Sequence, residues 1–308
     1  RVIQPCSSGD SVLVEFPAAG SRTATFEVAD SDFAPVSATV DIDVEPAPAE
    51  DYEITLRLDP GMDPAFQQAF EDAATRWEQV ISAGVPDVAL NLPGGFLGWA
   101  PAFNGTVDDV LIDARDTPID GPGQVLGSAG GILIRPGHWQ PYYGIMEFDT
   151  ADLQVLDASG QLYEVILHEM GHVLGLGTSW TLQGRIANVL TDPGYNGQAG
   201  TAAFRELGGS GFVPVENQGG TGTALGHWRE SVFDDELMTG YLGVDPVKLS
   251  RLTIAALADQ GYGVDLAAAD GYTLPGMALR GEPGNDAPTD ADGWLHTEPV
   301  PPMLGGLP

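Results

Sequence analysis

The spacing of apolar and polar residues divides the chain into an N-terminal part made only of strands and a longer part in which strands and helices alternate. Apolar side chains recur at every second position over residues 12–16, 24–28 and 40–44, which predicts three short β-strands. Residues 45–50 are rich in Pro and Ala and predict a stiff, extended linker. The pattern therefore predicts a small β-rich accessory segment at residues 1–48 and a domain boundary near its end.

The second part, predicted at residues 51–265, opens with a strand and a long helix. Apolar and polar residues alternate over residues 54–58, which is typical of a strand. Asp63 is suited to cap a helix and Pro64 to occupy its first position, and an apolar stripe over residues 66–81 continues that helix. A strand followed by a long helix indicates a layer of helix on sheet.

The middle of this part predicts more strands and a second helix. Apolar runs at residues 110–112, 131–134 and 145–148 lie between Gly- and Pro-rich turns and predict strands. A helical apolar period then starts near Gln161, and Gly175 allows the chain to leave the helix in a left-handed conformation. We expect this helix to pack behind the sheet.

The remainder of the chain is less regular. Residues 184–226 are rich in Gly, Thr and Asn with little periodicity, and predict a long irregular connection of the kind that is usually functional or mobile. A last helix is predicted from Ser250, as its N-cap, to Gly261, where it stops. Residues 266–308 predict an irregular, poorly ordered C-terminal tail.

The helix predicted at Gln161–Gly175 carries the strongest chemical signal. It contains His168-Glu169-Met170-Gly171-His172, an HExxH motif. A helix places two histidines four residues apart on one face with the glutamate beside them, which is the core of a zinc hydrolase site. His168 and His172 are therefore candidate zinc ligands and Glu169 is the candidate general base. The alternative is a pair of helix-surface histidines without a metal.

A catalytic zinc needs three protein ligands and one open position, so a third ligand must lie elsewhere. Thr178 stands where the extended motif HExxHxxGxxH has its third histidine, and threonine is a poor zinc ligand. His227 and His296 are the histidines that follow the motif, and His296 lies in the predicted tail. A glutamate from a second helix would be Glu206 or Glu216, but neither lies in a convincing helical pattern. His227 is the favoured candidate.

At this point the sequence resembles a known family. His168 to Gly175, a long insertion, Gly226-His227-Trp228-Arg229-Glu230 and Asp235-Glu236-Leu237-Met238-Thr239-Gly240 are similar to the leishmanolysin family of metzincin zinc proteases. The resemblance covers roughly residues 51–265. It implies an α+β, metzincin-like zincin domain, with a twisted mixed sheet and the active-site helix above a cleft and a lower subdomain below it.

The resemblance also assigns roles to individual residues. It implies that His227 is the third ligand of one catalytic Zn²⁺ and that Met238 supports the metal site from the turn beneath it. The implied reaction is hydrolysis of an internal peptide bond by attack of water, with Glu169 moving the proton. Eukaryotic members of the family are rich in cysteine, so a chain with Cys6 alone resembles a bacterial or archaeal member more closely.

Composition restricts the partners and the location. Twelve Lys and Arg stand against 44 Asp and Glu, for a formal charge of −32. Such a surface repels nucleic acid and anionic lipid. The resemblance implies a protein or peptide substrate. The sequence contains no apolar run long enough to span a membrane. We expect an extracellular or cell-surface protein whose export signal is not present in this chain.

Several residues have two interpretations. Cys6 is either an inert thiol or a latency thiolate that blocks the zinc, although no switch motif surrounds it. Asp149 and Asp152 could bind Ca²⁺, although a solvated loop face is the preferred interpretation. His138 is expected in a loop, and Tyr241 could assist an oxyanion.

Two other functions compete with the peptidase. The first is a catalytically inactive, zinc-stabilised adhesion or binding module, and the second is a zinc hydrolase that acts on a non-peptide amide. The presence of Glu169 argues against the first, because a structural zinc needs no general base.

Overall fold

The computed structural model describes residues 20–30, 33–44, 50–123, 125–135, 138–220, 222–243 and 246–275. The predictions made for Cys6, for the strand at residues 12–16, for His296 and for residues 276–308 lie outside the described residues. Residue contacts group the chain into two compact units, residues 1–49 and residues 50–308.

The first unit contains a β-hairpin. Strands β1 (Gly20–Asp30) and β2 (Phe33–Val44) pair in antiparallel register, with Gly20 opposite Val44. Both strands expected from the alternation at residues 24–28 and 40–44 are thereby confirmed. The hydroxyl of Thr23 donates to a carboxylate oxygen of Asp41 across the two strands at 2.8 Å.

The second unit contains the remaining elements. Its strands are β3 (Ile54–Leu58), β4 (Val88–Leu92), β5 (Phe103–Val107), β6 (Val110–Thr117), β7 (Gly127–Ile134), β8 (Pro141–Asp149), β9 (Ile186–Ala187), β10 (Gly194–Tyr195) and β11 (Val213–Pro214). Its helices are α1 (Pro64–Val80), α2 (Thr150–Ser159), α3 (Leu162–Val173), α4 (Gln198–Glu206), α5 (Glu230–Phe233) and α6 (Arg251–Asp259), followed by a short 3₁₀ turn at Leu266–Ala268. The described part of the chain is therefore a mixed α and β structure with several sheets.

The main sheet has four strands in the order β3-β6-β8-β7. The first three run parallel, and β7 pairs antiparallel with β8. Alternate residues of β6 face opposite layers, because Val110 and Ile112 join the core under the helices whereas Leu111 joins the core under the β4–β5 hairpin. The sheet is thus covered on both faces.

Helices α1 and α3 lie on one face of this sheet. The Asp63 carboxylate accepts from the N–H of Ala65 and caps α1, as predicted. The indole N–H of Trp77 in α1 donates to the Leu167 carbonyl of α3 at 3.0 Å. Helix α3 lies directly on the strands, because a Cβ placed on Gly144 would be 2.4 Å from a side-chain carbon of Val173. The helix that carries the HExxH motif therefore has a rigid support.

The long connection predicted as irregular is structured. It contains β9, β10 and β11 in a three-stranded sheet and helix α4, and that part of the prediction was wrong. Gly197, at the N-cap of α4, offers no side-chain cap. Asp259 of α6 takes that role instead and accepts from the N–H groups of Ala199 and Gly200 at 2.9 Å each. A cap supplied from 60 residues away leaves no local pattern in the sequence.

The packed structure continues past residue 265. Tyr272 donates its hydroxyl hydrogen to the Phe233 carbonyl at 2.5 Å, and Asp270 accepts from the N–H of Leu249 at 2.9 Å. Packing on the core therefore continues to Leu274, beyond the predicted boundary at residue 265. Among the described residues, none of the helices has both the length and the apolar character needed to cross a bilayer.

Candidate metal centre

Three histidine side chains meet inside the second unit. The Nε2 atoms of His168 and His172 are 3.0 Å apart, and the Nε2 atom of His227 lies 3.2 Å from the first and 3.0 Å from the second. All three side chains are buried. The structure thus brings together the two helix histidines and His227, the predicted third ligand, which lies 55 residues after His172 in the sequence.

Backbone carbonyls fix the tautomer of each imidazole. The Nδ1–H of His168 is 2.6 Å from the Leu237 carbonyl. The same ring position of His172 faces the Leu176 carbonyl at 2.8 Å, and that of His227 faces the Thr223 carbonyl at 2.9 Å. Since carbonyls only accept, Nδ1 carries the proton and the Nε2 lone pairs point at one another.

Three acceptor nitrogens at this separation repel one another unless a cation lies between them. Two nitrogen ligands of a tetrahedral zinc, each about 2.0–2.1 Å from the metal, lie about 3.3–3.4 Å apart. The observed separations of 3.0–3.2 Å are a few tenths shorter. The donor set, three neutral imidazoles with no carboxylate in the group, fits a catalytic zinc with one open position.

Burial keeps the three histidines neutral. It lowers the pKa of His168 to about 3 and that of His227 to about 4, and it lowers the pKa of His172 well below its ordinary value. A histidine must be deprotonated at the ligating nitrogen to hold a metal. At neutral pH the three rings are therefore in the form that binds.

Glu169 carries a carboxylate at this centre that the hydrogen bonds of the described residues leave unused. Its carboxylate is buried, and neither oxygen has a hydrogen-bond partner among the described residues. One oxygen lies 4.0 Å from Nε2 of His168. Burial raises the pKa of Glu169 well above its usual value. Such a group makes no structural contribution that would offset the cost of its burial, which is typical of a residue kept for chemistry.

A close contact between two glycines brings His227 to the helix. A Cβ placed on Gly177, whose φ is 74°, would lie 1.9 Å from the Gly226 carbonyl oxygen. Only glycine permits this approach, and it seats the segment before His227 against the segment after α3. Thr178 donates its hydroxyl hydrogen to the His172 carbonyl at 2.8 Å, so it finishes the helix and is not a ligand.

The two glutamates considered as third ligands are used elsewhere. The Glu216 carboxylate accepts from the N–H groups of Asn217, Gln218 and Glu230 and so holds the loop around His227. Glu206 lies at the end of helix α4, where its carboxylate pairs with Arg251 at 3.1 Å. Neither belongs to the histidine group.

Met238 lies beneath the helix that carries the motif. It is fully buried, and a Cβ placed on Gly171 would come within 2.9 Å of its sulfur. The N–H of Thr239 donates to the Glu236 carbonyl at 3.1 Å and closes the turn that carries Met238. The methionine identified by the resemblance therefore packs directly under the HExxH motif.

Sequence reasoning missed Glu236, which precedes this turn. Its buried carboxylate accepts from Ser250, Thr253 and Met238. Ser250 is confirmed as the N-cap of α6, but its link to a carboxylate 14 residues earlier has no local signature. Burial raises the pKa of Glu236, an effect that the hydroxyl and N–H donors partly oppose.

The solvated interpretation of Asp149 and Asp152 was wrong, since both are buried. Asp149 accepts from the N–H groups of Ile119, Asp120, Gly121 and Ala151. Burial alone would raise the pKa of Asp149, but these four donors outweigh it and lower the pKa. The carboxylate therefore caps α2 and holds a turn, and Ca²⁺ binding at this position has no support among the described residues.

His138 and Tyr241 lie outside the histidine group. His138 is exposed. Tyr241 is partly buried, and burial together with the nearby carboxylates of Glu216 and Glu230 raises its pKa. A tyrosine that keeps its proton could donate to an oxyanion, and this role stays a prediction.

Comparison with known proteins agrees with this geometry. Residues 137–275 match the family model described as leishmanolysin, peptidase M8. A leishmanolysin-like peptidase of Caenorhabditis elegans is 50% identical over 48 residues, which are 16% of this chain and 7% of that protein. The corresponding peptidase of Drosophila melanogaster is 46% identical over 48 residues, with the same coverage. A leishmanolysin homolog of Crithidia fasciculata is 30% identical over 134 residues, which are 40% of this chain and 20% of that protein.

The chain spans a fifth or less of the length of these relatives. The matches show that the region holding the three histidines is similar to peptidases of the leishmanolysin type. These relatives are eukaryotic and give no support to the expectation of a bacterial or archaeal type.

Proposed function

We propose that this chain is a zinc-dependent endopeptidase of the leishmanolysin type. One observation carries the proposal: three neutral imidazoles converge on one point, and a buried carboxylate without a structural partner lies beside them. A structural zinc site is closed by four protein ligands, whereas the described residues bring three together here, which would leave one position open.

In the proposed reaction His168, His172 and His227 would hold Zn²⁺. The bound metal would supply Lewis acidity, making water a better nucleophile and polarising the substrate carbonyl. Glu169 accepts the proton of the attacking water on a carboxylate oxygen and delivers it to the leaving amine. Because Glu169 has no hydrogen bond to break first among the described residues, its oxygens are available for both transfers. No acyl-enzyme is required.

The finer features of the architecture belong to the same proposal. The main sheet with α1 and α3 forms the upper part of a metzincin-like fold, and the segment with His227 and Met238 forms the lower part. Residues 51–265 would be the peptidase domain and residues 1–48 an accessory β module. The substrate would be a protein or peptide, and the protein would work outside the cell or at its surface.

Cleavage of a denatured protein separates this proposal from its rivals. The purified chain should digest denatured casein, lose that activity with a zinc chelator and regain it when zinc is returned. An inactive binding module would bind zinc without digesting casein. A hydrolase for non-peptide amides would cleave small amides and leave casein intact. Either of these two results would contradict the proposal.

A further inference from the structure

We propose that Glu236 is a positioning residue for the metal centre, acting on His168 through the peptide group that joins Leu237 to Met238. The inference rests on the proposed function, since it concerns the same three histidines. It goes beyond that function by assigning a role to a carboxylate that touches neither a ligand nor the motif glutamate.

Hydrogen bonds hold the Glu236 carboxylate in place. Glu236 is fully buried. One of its oxygens accepts from the hydroxyls of Ser250 and Thr253 at 2.5 Å each, and from the Ser250 N–H at 3.2 Å. The other oxygen accepts from the Met238 N–H at 2.6 Å. These four donors are neutral, so the side chain is fixed without an ion pair.

One rigid peptide group links Glu236 to His168. The N–H of Met238 and the C=O of Leu237 belong to one planar peptide group. Glu236 holds the N–H end, and the C=O end accepts from Nδ1 of His168 at 2.6 Å. A carboxylate, a peptide and an imidazole are therefore joined in series. The carboxylate orients the peptide and, by polarising it, strengthens the carbonyl as an acceptor, which makes His168 a better ligand.

The same carboxylate is also connected to the segment of His227. The Thr253 hydroxyl that donates to Glu236 also accepts from the indole N–H of Trp228 at 2.8 Å. Trp228 directly follows His227, and its backbone N–H donates to the Met238 carbonyl at 2.9 Å. One buried side chain thus ties together the supports of two of the three histidines.

Substitution of Glu236 by glutamine tests the inference. The amide keeps the shape but has only one accepting oxygen, so it cannot accept from both the Met238 N–H and the Ser250 N–H, which point at different oxygens of the carboxylate. Loss of a group that orients a metal ligand typically weakens metal binding by about tenfold to a hundredfold. We expect that loss for Glu236→Gln when the metal-free protein competes for zinc with a chromophoric chelator.

Asp259 provides a matched control. It is another buried carboxylate of the same region, and it caps α4 through Ala199 and Gly200 without contacting the peptide at residue 237. Asp259→Asn and Glu236→Gln should both lower the melting temperature. Asp259→Asn should nevertheless leave the zinc affinity within about twofold of the wild type. Equal zinc affinities of wild type and Glu236→Gln, or an equal loss in both variants, would overturn the proposal.

Two variants of Thr253 keep the test decisive should Glu236→Gln fail to fold. Thr253→Ser retains the hydroxyl and should bind zinc like the wild type, whereas Thr253→Val removes it and should bind several-fold more weakly. Identical affinities would refute the role of the carboxylate. Because zinc binding is measured without a substrate, a wild type that cleaves no protein would contradict the proposed function and leave this result to be judged separately.

Discussion

Replacing Glu169 with glutamine is expected to leave zinc bound while slowing peptide cleavage by about a hundredfold to ten-thousandfold. The glutamine amide has nearly the shape of the carboxylate, so the three histidines should keep their positions. It cannot accept the proton of the attacking water, and Glu169 is the buried carboxylate beside them. The ratio kcat/KM on a fluorogenic peptide and the zinc content of the same sample measure the two effects.

Glu164 is the matched control for this substitution. It lies in the first turn of α3 and is only partly buried. Glu164→Gln changes the same functional group on the same helix and should retain nearly full activity. A Glu169→Gln protein that digests casein at the wild-type rate would mean that another residue, or none, moves the proton.

The second large effect is expected for His227→Ala, which removes one of three ligands. Zinc held by four ligands in structural sites contributes about 10–16 kcal/mol of binding, or roughly 3 kcal/mol per ligand, so the loss of one should weaken binding by about a hundredfold or more. The variant should therefore lose both its metal and its activity at limiting zinc. Equilibrium dialysis against buffered zinc measures the affinity.

His138→Ala is the control for that variant, because His138 is exposed and outside the cluster. It should bind zinc and cleave casein normally. Retention of wild-type zinc affinity by His227→Ala would instead favour one of the glutamates as the third ligand: Glu216, which accepts from backbone N–H groups of its loop, or Glu206, which pairs with Arg251 at the surface.

The elements that the sequence predicted well are those with local signals at their ends. Asp63, Gly175 and Ser250 mark the limits of α1, α3 and α6, and each acts through its own or adjacent backbone groups. Some elements that were missed have local signals, since α2 lies between the N-cap Asp149 and the C-cap Gly160, but others lack them. Helix α4 is capped by Asp259, and the strands β9, β10 and β11 have two residues each. Strands this short show no period.

The residues of the candidate site likewise divide into those with a local signal in the sequence and those without one. His168, Glu169 and His172 were predicted from their spacing on one helix, because that spacing alone sets their geometry. His227 was favoured by elimination, and the resemblance then implied it as the third ligand. Its spacing from the helix does not set its position, which depends on the contact between Gly177 and Gly226. The role of Glu236 could not be recognised, because the two hydroxyl groups that hold it lie 14 and 17 residues along the chain.

For Asp149 and Asp152 the sequence led to a wrong interpretation, that of a solvated loop face. Acidic residues beside a Gly-rich turn resemble a solvated or calcium-binding loop. In the structure, backbone N–H groups of that turn donate hydrogen bonds to the Asp149 carboxylate. The sequence records the residue types but not the direction in which the turn closes.

X-ray absorption at the zinc edge, on the purified wild-type chain loaded with zinc, tests the central claim most directly. The three-histidine centre predicts one zinc per chain, with imidazole nitrogens at about 2.0–2.1 Å, a further light ligand and no sulfur. A folded chain that takes up no zinc, or a spectrum with a sulfur ligand, would contradict it.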